Sequence, residues 1–313
     1  MAKANVSTYH VPLKTVLAKD FALNKWKYLL ILPVLLYFAL FVYKPMYGLI
    51  IAFKDYRPNM GFDRSRWVGL KHFIDFFNDV YFFRLLRNTL SISLLSILFG
   101  FPAPILLALL LNEIQNVSFK KTVQTITYMP YFISMVVVAS LIRTYSASNG
   151  IFAQIAIMFG GEGKNYLMHN QYFYPIYVIS DIWQGIGWNS IIYLAALTSI
   201  DQEQYEAARI DGAGRIRRIF SITLPNLLPT IMVLFILRMG GILNVGFEKI
   251  ILLYNEGIYE VADVISTYVY RRGIIQAAFS YASAVGLFNS LVNVAFLVAA
   301  NTLSKKFTES SLF

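Results

Sequence analysis

Within otherwise apolar sequence, the stretch 181–189 gathers Asp181, Trp183, Gln184, Trp188 and Asn189. On a helix, Asp181, Gln184 and Trp188 share one face, as do Gln184, Gly187 and Ile191. Indole faces stack on the apolar C–H patches of sugars, while amides and carboxylates bind hydroxyls. Further along stand Arg238, Asn244 and Glu248, the last two one turn apart. Polar groups inside an apolar segment are costly, which makes them functional candidates. A rival reading is that small and polar residues join helices, with Gly185, Gly187 and Gly240-Gly241 permitting close packing. Lys44, Arg238, Glu248 and Lys249 could pair inside the membrane or snorkel to an interface. Lys44 precedes Pro45 near a span end, which favours the interface. Arg238 lies further in, where a gating ion pair and a contact with a partner subunit both fit.

Covalent and metal chemistry find no support. The chain has no cysteine, so it forms no disulfide and no thiolate site. His10, His72 and His169 are scattered without metal spacing. The nearest approach to a phosphate-binding loop is Gly160-Gly161-Glu162-Gly163-Lys164-Asn165. Asn165 stands there in place of the magnesium-binding hydroxyl, and Met158 in place of the first glycine. No serine elbow and no zinc-protease helix motif occurs. The expectation is a non-enzyme, with no catalytic, cofactor or metal site of its own. An ion-coupled transporter would need ionisable pairs near the midplane; only the Arg238/Glu248 region offers one.

A polar break separates two apolar runs. It reads Glu206-Ala207-Ala208-Arg209-Ile210-Asp211-Gly212-Ala213, then Leu224-Pro225 and Pro229. Asp201 can cap a helix, with Gln204 as capping-box partner. Gly212 can take the positive φ that ends it. A second helical piece follows from 214 to 222, basic through Arg215 and Arg218, apolar through Ile216, Ile219 and Phe220. Leu224-Pro225 is expected to stop it, and Pro229 to open the next apolar run. Two short helices joined at a glycine make a compact knob over 201–229, and a knob can carry force.

The elements that position these residues follow from composition. The 313 residues are 57% hydrophobic and 14% charged, against about 25% charged in a soluble domain. Mean hydropathy is +0.56. Crossing roughly 30 Å of hydrocarbon takes about 20 helical residues. Six runs qualify, at 28–51, 89–111, 122–142, 173–200, 230–254 and 279–303. Continuous apolarity without period-two alternation makes them helices rather than barrel strands. Residues 1–27 are too long and lysine-rich to open a cleavable signal, so the first run reads as a retained anchor. The net charge of +10 is assigned to orientation rather than to nucleic acid. Lys3, Lys14, Lys19, Lys25, Lys27, Lys120, Lys121, Arg209, Arg215, Arg217, Arg218, Lys305 and Lys306 fall on one side, placing both termini in the cytoplasm. The opposite loop is basic too, but long enough to count less. Its aromatic run of Phe73, Phe76, Phe77, Tyr81, Phe82 and Phe83 suggests a segment lying at the outer interface, or a small contact surface for a partner.

Glu206-Ala207-Ala208, Asp211-Gly212-Ala213 and Leu224-Pro225, placed between the fourth and fifth of six spans, resemble the "EAA" loop of binding-protein-dependent ABC importer permeases. From residue 28 onward the chain is similar to their carbohydrate-type members, within them to the complex oligosaccharide/polysaccharide subgroup. That likeness lies around Tyr43-Lys44-Pro45-Met46-Tyr47-Gly48, Phe53-Lys54-Asp55-Tyr56 and Val68-Gly69-Leu70-Lys71-His72-Phe73. The resemblance implies an all-α polytopic membrane protein with the MetI-like, type I ABC importer permease fold. The transmembrane domain would cover 28–303, between cytoplasmic tails at 1–27 and 304–313. Implied partners are a second homologous permease, two ATPase subunits that hold the ATP and magnesium, an extracellular solute-binding protein, an oligosaccharide and membrane lipid. Glu206 would be a polar contact to the ATPase. Ala207 and Ala208 would allow close approach, and Gly212 would set the angle. The apolar face that follows would pack under the membrane core. Arg209, Asp211, Ala213, Leu224 and Pro225 complete the coupling element. The cargo wall falls to Asp181, Trp183, Gln184, Trp188, Asn189, Arg238, Asn244 and Glu248. A non-sugar solute is the alternative cargo.

Overall fold

A computed structural model describes residues 13–308. Lys3 and the last residues of the C-terminal tail lie outside the described residues. Among the described residues, four helices are long and apolar enough to cross a membrane: Lys19–Phe53, Phe82–Glu113, Arg215–Met239 and Phe279–Lys306. A bent pair, Val117–Phe132 and Met135–Met158, supplies a fifth candidate. The helix Asn170–Thr198 has 29 residues, which at about 1.5 Å each is ample length to span. Its polar residues, Asp181 to Asn189 among them, keep it out of the apolar set. These elements are called spans one to six in chain order, Asn170–Thr198 being the fourth. A two-stranded antiparallel ribbon, with Lys54 opposite Trp67 and Asp55 opposite Arg66, ties down the loop after span one.

Two expected spans are not continuous. The run 122–142 bends by 98°. Pro130 sits in the short 3-10 turn Met129–Phe132, and Ser134 then starts a new helix, its side chain accepting from the Val137 N–H. The run 230–254 also breaks. Its helix ends at Met239, residues 240–246 are irregular, and Phe247–Leu253 forms a separate helix.

Leu224-Pro225 does not stop the second piece of the knob, which instead runs unbroken into span five. The reason is a π turn over Ile219–Thr223, where the Leu224 N–H donates five residues back to the Ile219 carbonyl. The same device precedes Pro45 and Pro102: the Lys44 N–H donates to the Ala39 carbonyl and the Phe101 N–H to the Ser96 carbonyl. Proline lacks an N–H and its ring clashes with the carbonyl four back. A widened turn absorbs both defects without ending the helix.

Span four is the hub. It packs against span two, the first arm of the bent pair and span five. At the crossing with the bent pair, Gly187 faces the Thr127 carbonyl so closely that an added Cβ would lie 2.1 Å from that oxygen. Buried Ile105, Ala108, Tyr193, Leu197, Ile200 and Leu227 form the core beneath the knob. Span one is the exception: its most apolar window buries nothing against the rest of the chain. It joins the bundle through the 3-10 turn Tyr47–Phe53, which packs on span six.

The aromatic loop segment packs on the bundle through part of its rings. Phe76 and Phe82 are buried with Tyr281 and the flanking Phe288, while Phe77 and Phe83 stay exposed. The helical period of Lys71–Phe77 aims Phe76 at span six.

Replacing Gly187 by valine sets a side chain against backbone that has nowhere to move. Overpacking of this kind costs about 3 kcal/mol, so G187V should lower the unfolding temperature of the detergent-purified protein sharply. G286A, at a span-six glycine whose Cβ would meet nothing within 4 Å, should leave it unchanged or slightly raised.

Candidate functional site

The knob forms largely as the sequence suggests. Asp201 caps the helix Gln202–Ile210, its carboxylate accepting from the Glu203 N–H at 3.0 Å. The expected capping box does not close. Gln204 instead accepts from the Asn226 amide at 3.1 Å, tying the knob to span five. Gly212 has φ +74°, and the Ala213 N–H donates back to the Ala208 carbonyl at 2.8 Å, a Schellman-type stop. Glu206, Ala207, Arg209, Ile210 and Asp211 are exposed, while Ala208 and Ala213 are half-buried. Ile210 is 87% exposed on a helix otherwise anchored to the bundle.

Of the apolar face expected under the membrane core, Ile219 is half-buried. Ile216 and Phe220 are exposed. Tyr205, Ile222 and Leu227 make the inward contact, and the Tyr205 hydroxyl meets that of Thr223 at 2.9 Å. The π turn spreads one rotation over more residues than an α turn, so the helix phase lags between Ile219 and Leu224, which offsets the inner face downstream from the first apolar set. Arg209, Arg215 and Arg218 line a hollow of about 230 Å³ with Glu113 from the end of span two.

The intramembrane candidates divide. Asp181, Asn189 and Arg238 line one cavity of about 220 Å³, walled also by Ser96, Tyr193 and Leu234. The Asp181 carboxylate pairs at 3.4 Å with Lys249, whose side chain is 1% exposed and also donates to the Tyr177 carbonyl at 3.0 Å. The remaining candidates lie away from this cavity. The Gln184 amide donates to the Ile133 carbonyl at 3.3 Å, at the bend after span three's first arm. Trp188 stacks on Tyr131 at 4.6 Å and meets Phe132 edge-on. Asn244 accepts from Asn289 and Asn293 of span six at 2.9 and 3.2 Å. Trp183 and Glu248 are exposed. Gln184 and Asn244 thus join neighbouring helices. Gly160 and its neighbours cap the helix Ile151–Met158: Gly160 has φ +78° and the Gly161 N–H donates to the Ala156 carbonyl.

Sequence reasoning missed a polar clasp at the end of the bundle opposite the knob. Asp263 is fully buried and receives both Arg271 guanidinium nitrogens, at 3.1 and 2.6 Å, and the Thr267 hydroxyl at 2.8 Å. Arg84 stands 3.7 Å away. The Asn88 amide donates to the carbonyls of Glu260 and Asp263. Nearby, Asp79 accepts from Tyr268, from Tyr281 at 2.9 Å and from the Tyr81 N–H at 2.9 Å. Asp263, Thr267 and Arg271 stand four residues apart in turn, a spacing the sequence offered, while Arg84, Asn88 and Asp79 come from 175 to 202 residues away in the chain. An Asn or Asp at the edge of an apolar run was the other available signal.

Burial works to raise the Asp79 pKa, but hydrogen bonds from Tyr268, the Tyr81 N–H and Tyr281, helped by Arg272, hold it below the ordinary 3.8. A depressed carboxylate contributes stability above its unfolded pKa and loses it as pH falls through the folded value.

Residues 81–308 match the family described as "Binding-protein-dependent transport system inner membrane component". Protein LplB of Bacillus subtilis (strain 168) is 48% identical over 291 residues, covering 93% of this chain and 92% of its own. The polygalacturonan/rhamnogalacturonan transport system permease protein YteP of the same strain is also 48% identical, covering 93% and 91%. A chain of a bacterial ABC transporter involved in the import of the acidic polysaccharide alginate superposes with a TM-score of 0.86 at 45% identity, covering 93% of this chain and 99% of that one. In a second structure the alginate transporter is in complex with an alginate pentasaccharide-bound periplasmic protein, and the TM-score is 0.87 at 44% identity.

Asp79→Asn should lower the unfolding temperature of the purified protein at neutral and mildly acidic pH. The gap to the parent should close only once the pH drops below 3.8, the ordinary value for this group, and thermal scans across a pH series would read it.

Proposed function

This chain belongs to the family of binding-protein-dependent transport system inner membrane components, and from that premise we propose that it carries half of an oligosaccharide pathway and takes its power through the knob at 201–229. It is a permease component of an ABC importer and not an enzyme. Two relatives of high identity and coverage carry sugars in their names or titles, rhamnogalacturonan or polygalacturonan for one and alginate for the other, which supports an oligosaccharide cargo. The alginate transporter's complex with a periplasmic protein supports an external solute-binding protein as the donor of that cargo.

One observation carries the coupling role. The exposed helix Gln202–Ile210 is joined through Gly212 to a helix that continues into span five without a break. A push on Glu206, Ala207 or Ile210 therefore passes through the bend at 211–214, and through the Gln204–Asn226 and Tyr205–Thr223 ties, to the helix that carries Leu234 and Arg238 to the cavity. In this reading two separate ATPase subunits hold ATP and magnesium, and the knob sits in a groove of one of them. Ala207 and Ala208 let the backbones approach, Glu206 and Arg209 supply polar contacts, and Asp211, Ala213, Leu224 and Pro225 hold the two helices of the knob in register. Closure of the ATPases then moves span five, alternately opening the cavity to the binding protein and to the cytoplasm. The apolar surface of span one that buries nothing within this chain suits a second homologous permease and lipid. The membrane is the cytoplasmic membrane of a bacterium or archaeon, with both termini and the knob on the cytoplasmic side.

Gly212 tests this. An added Cβ there meets nothing within 4 Å, so a substitution acts through φ alone, at about 1–2 kcal/mol of local strain. In the full transporter, G212V should cut binding-protein-stimulated ATP hydrolysis and uptake at least tenfold while the amount of inserted chain stays unchanged. G214A, where the backbone is extended and the space open, should behave as the parent. Normal uptake by G212V would contradict the proposal.

A further inference from the structure

Arg238 is exposed into the cavity between spans two, four and five, and it forms no ion pair with any described carboxylate. The other charges beside the cavity are Asp181 and the lysine that pairs with it, Lys249. The local balance is thus one negative charge against two positive. A guanidinium within a membrane span is tolerated where it meets a counterion or lines a water-filled path. Its place in the last turn of span five's helix lets the terminal carbonyls stabilise it, but supplies no anion.

We propose that Arg238 is a specificity-determining residue that binds the carboxylate of a uronic acid unit as an oligosaccharide passes the cavity. The guanidinium fork matches a carboxylate with two parallel hydrogen bonds. One carboxylate also brings the charge sum of Asp181, Lys249 and Arg238 to zero. A phosphate monoester, at about −1.5 to −2, would overshoot and face Asp181 across the cavity. Asn189 and Ser96 line the same space and can take the hydroxyls of the same unit. Lys249 is enclosed and already committed to Asp181 and the Tyr177 carbonyl, so it leaves Arg238 as the cation free to meet cargo.

The inference rests on the oligosaccharide reading, and its test separates the two. The full transporter is reconstituted in liposomes with its binding protein, and ATP-driven uptake is followed for trigalacturonate and for its carboxyl-reduced neutral trimer. The parent should move the acid at least tenfold faster than the neutral trimer. Arg238→Gln should lower the maximal rate for the acid at least tenfold, with the neutral rate and the binding protein's affinity unchanged. Arg238→Lys should recover part of the loss. A parent that moves both trimers equally would overturn the uronate role and leave the oligosaccharide reading standing. A parent that moves neither would bring down both. R238Q moving the acid at the parental rate would overturn the role of Arg238. So would R238Q losing the second permease on co-purification, because the counterion would then belong to that subunit.

Discussion

In hydrocarbon a backbone N–H or C=O has no water to turn to, so every break in a span must be closed by the chain itself. Much of the polar chemistry in this sequence answers that demand. The irregular segment after span five is held by Asn293, which accepts from the Leu243 N–H at 3.0 Å, and by the Ser93 hydroxyl, which donates to the Ile242 carbonyl. The bend after span three's first arm is met by Gln184. The short helix Tyr259–Ala262, with Asp263 at its end, leans on the Asn88 amide. In each case a side chain on an intact helix satisfies the broken backbone of its neighbour, which fixes the packing of both.

The same constraint sorts the polar residues by role. Some are spent in part on backbone repair or helix joining, Gln184 through its amide N–H and Asn244 through its amide oxygen. Asp181, Asn189 and Arg238 face a cavity instead. The prolines obey the rule from the other direction. By placing a π turn before Pro45, Pro102 and Pro225, the chain keeps three helices continuous. Continuity at Pro225 matters most, because it makes the second helix of the knob and span five one helix.

The knob was legible because its signals are local. An Asp before a helix, a glycine that must take positive φ and an acidic-alanine pattern all act within a few residues. The breaks at 129–134 and 240–246 were not, since Leu, Ile, Val and Met continue on either side and hydropathy sees one run. The phase shift at Ile219–Thr223 was hidden for a related reason. Helical periodicity assumes one period throughout, so Ile216 and Phe220 looked inward and are exposed. The clasp pairs Asp263 with Arg271 eight residues on, but it also draws in Arg84 from the far end of the domain, and the unburied face of span one depends on what lies beyond this chain.

In the coupling role proposed for the knob, the helix Gln202–Ile210 is the surface on which the ATPase pushes. The chain has no cysteine, so a single thiol can be placed on that helix without background. Ile210 is the position of choice, being 87% exposed. In membranes carrying the whole transporter, I210C treated with a short thiol–amine cross-linker should yield a covalent adduct with the ATPase subunit, and ATP should change its yield. No adduct from I210C, together with labelling of that thiol by an impermeant reagent added from outside the cell, would contradict the account.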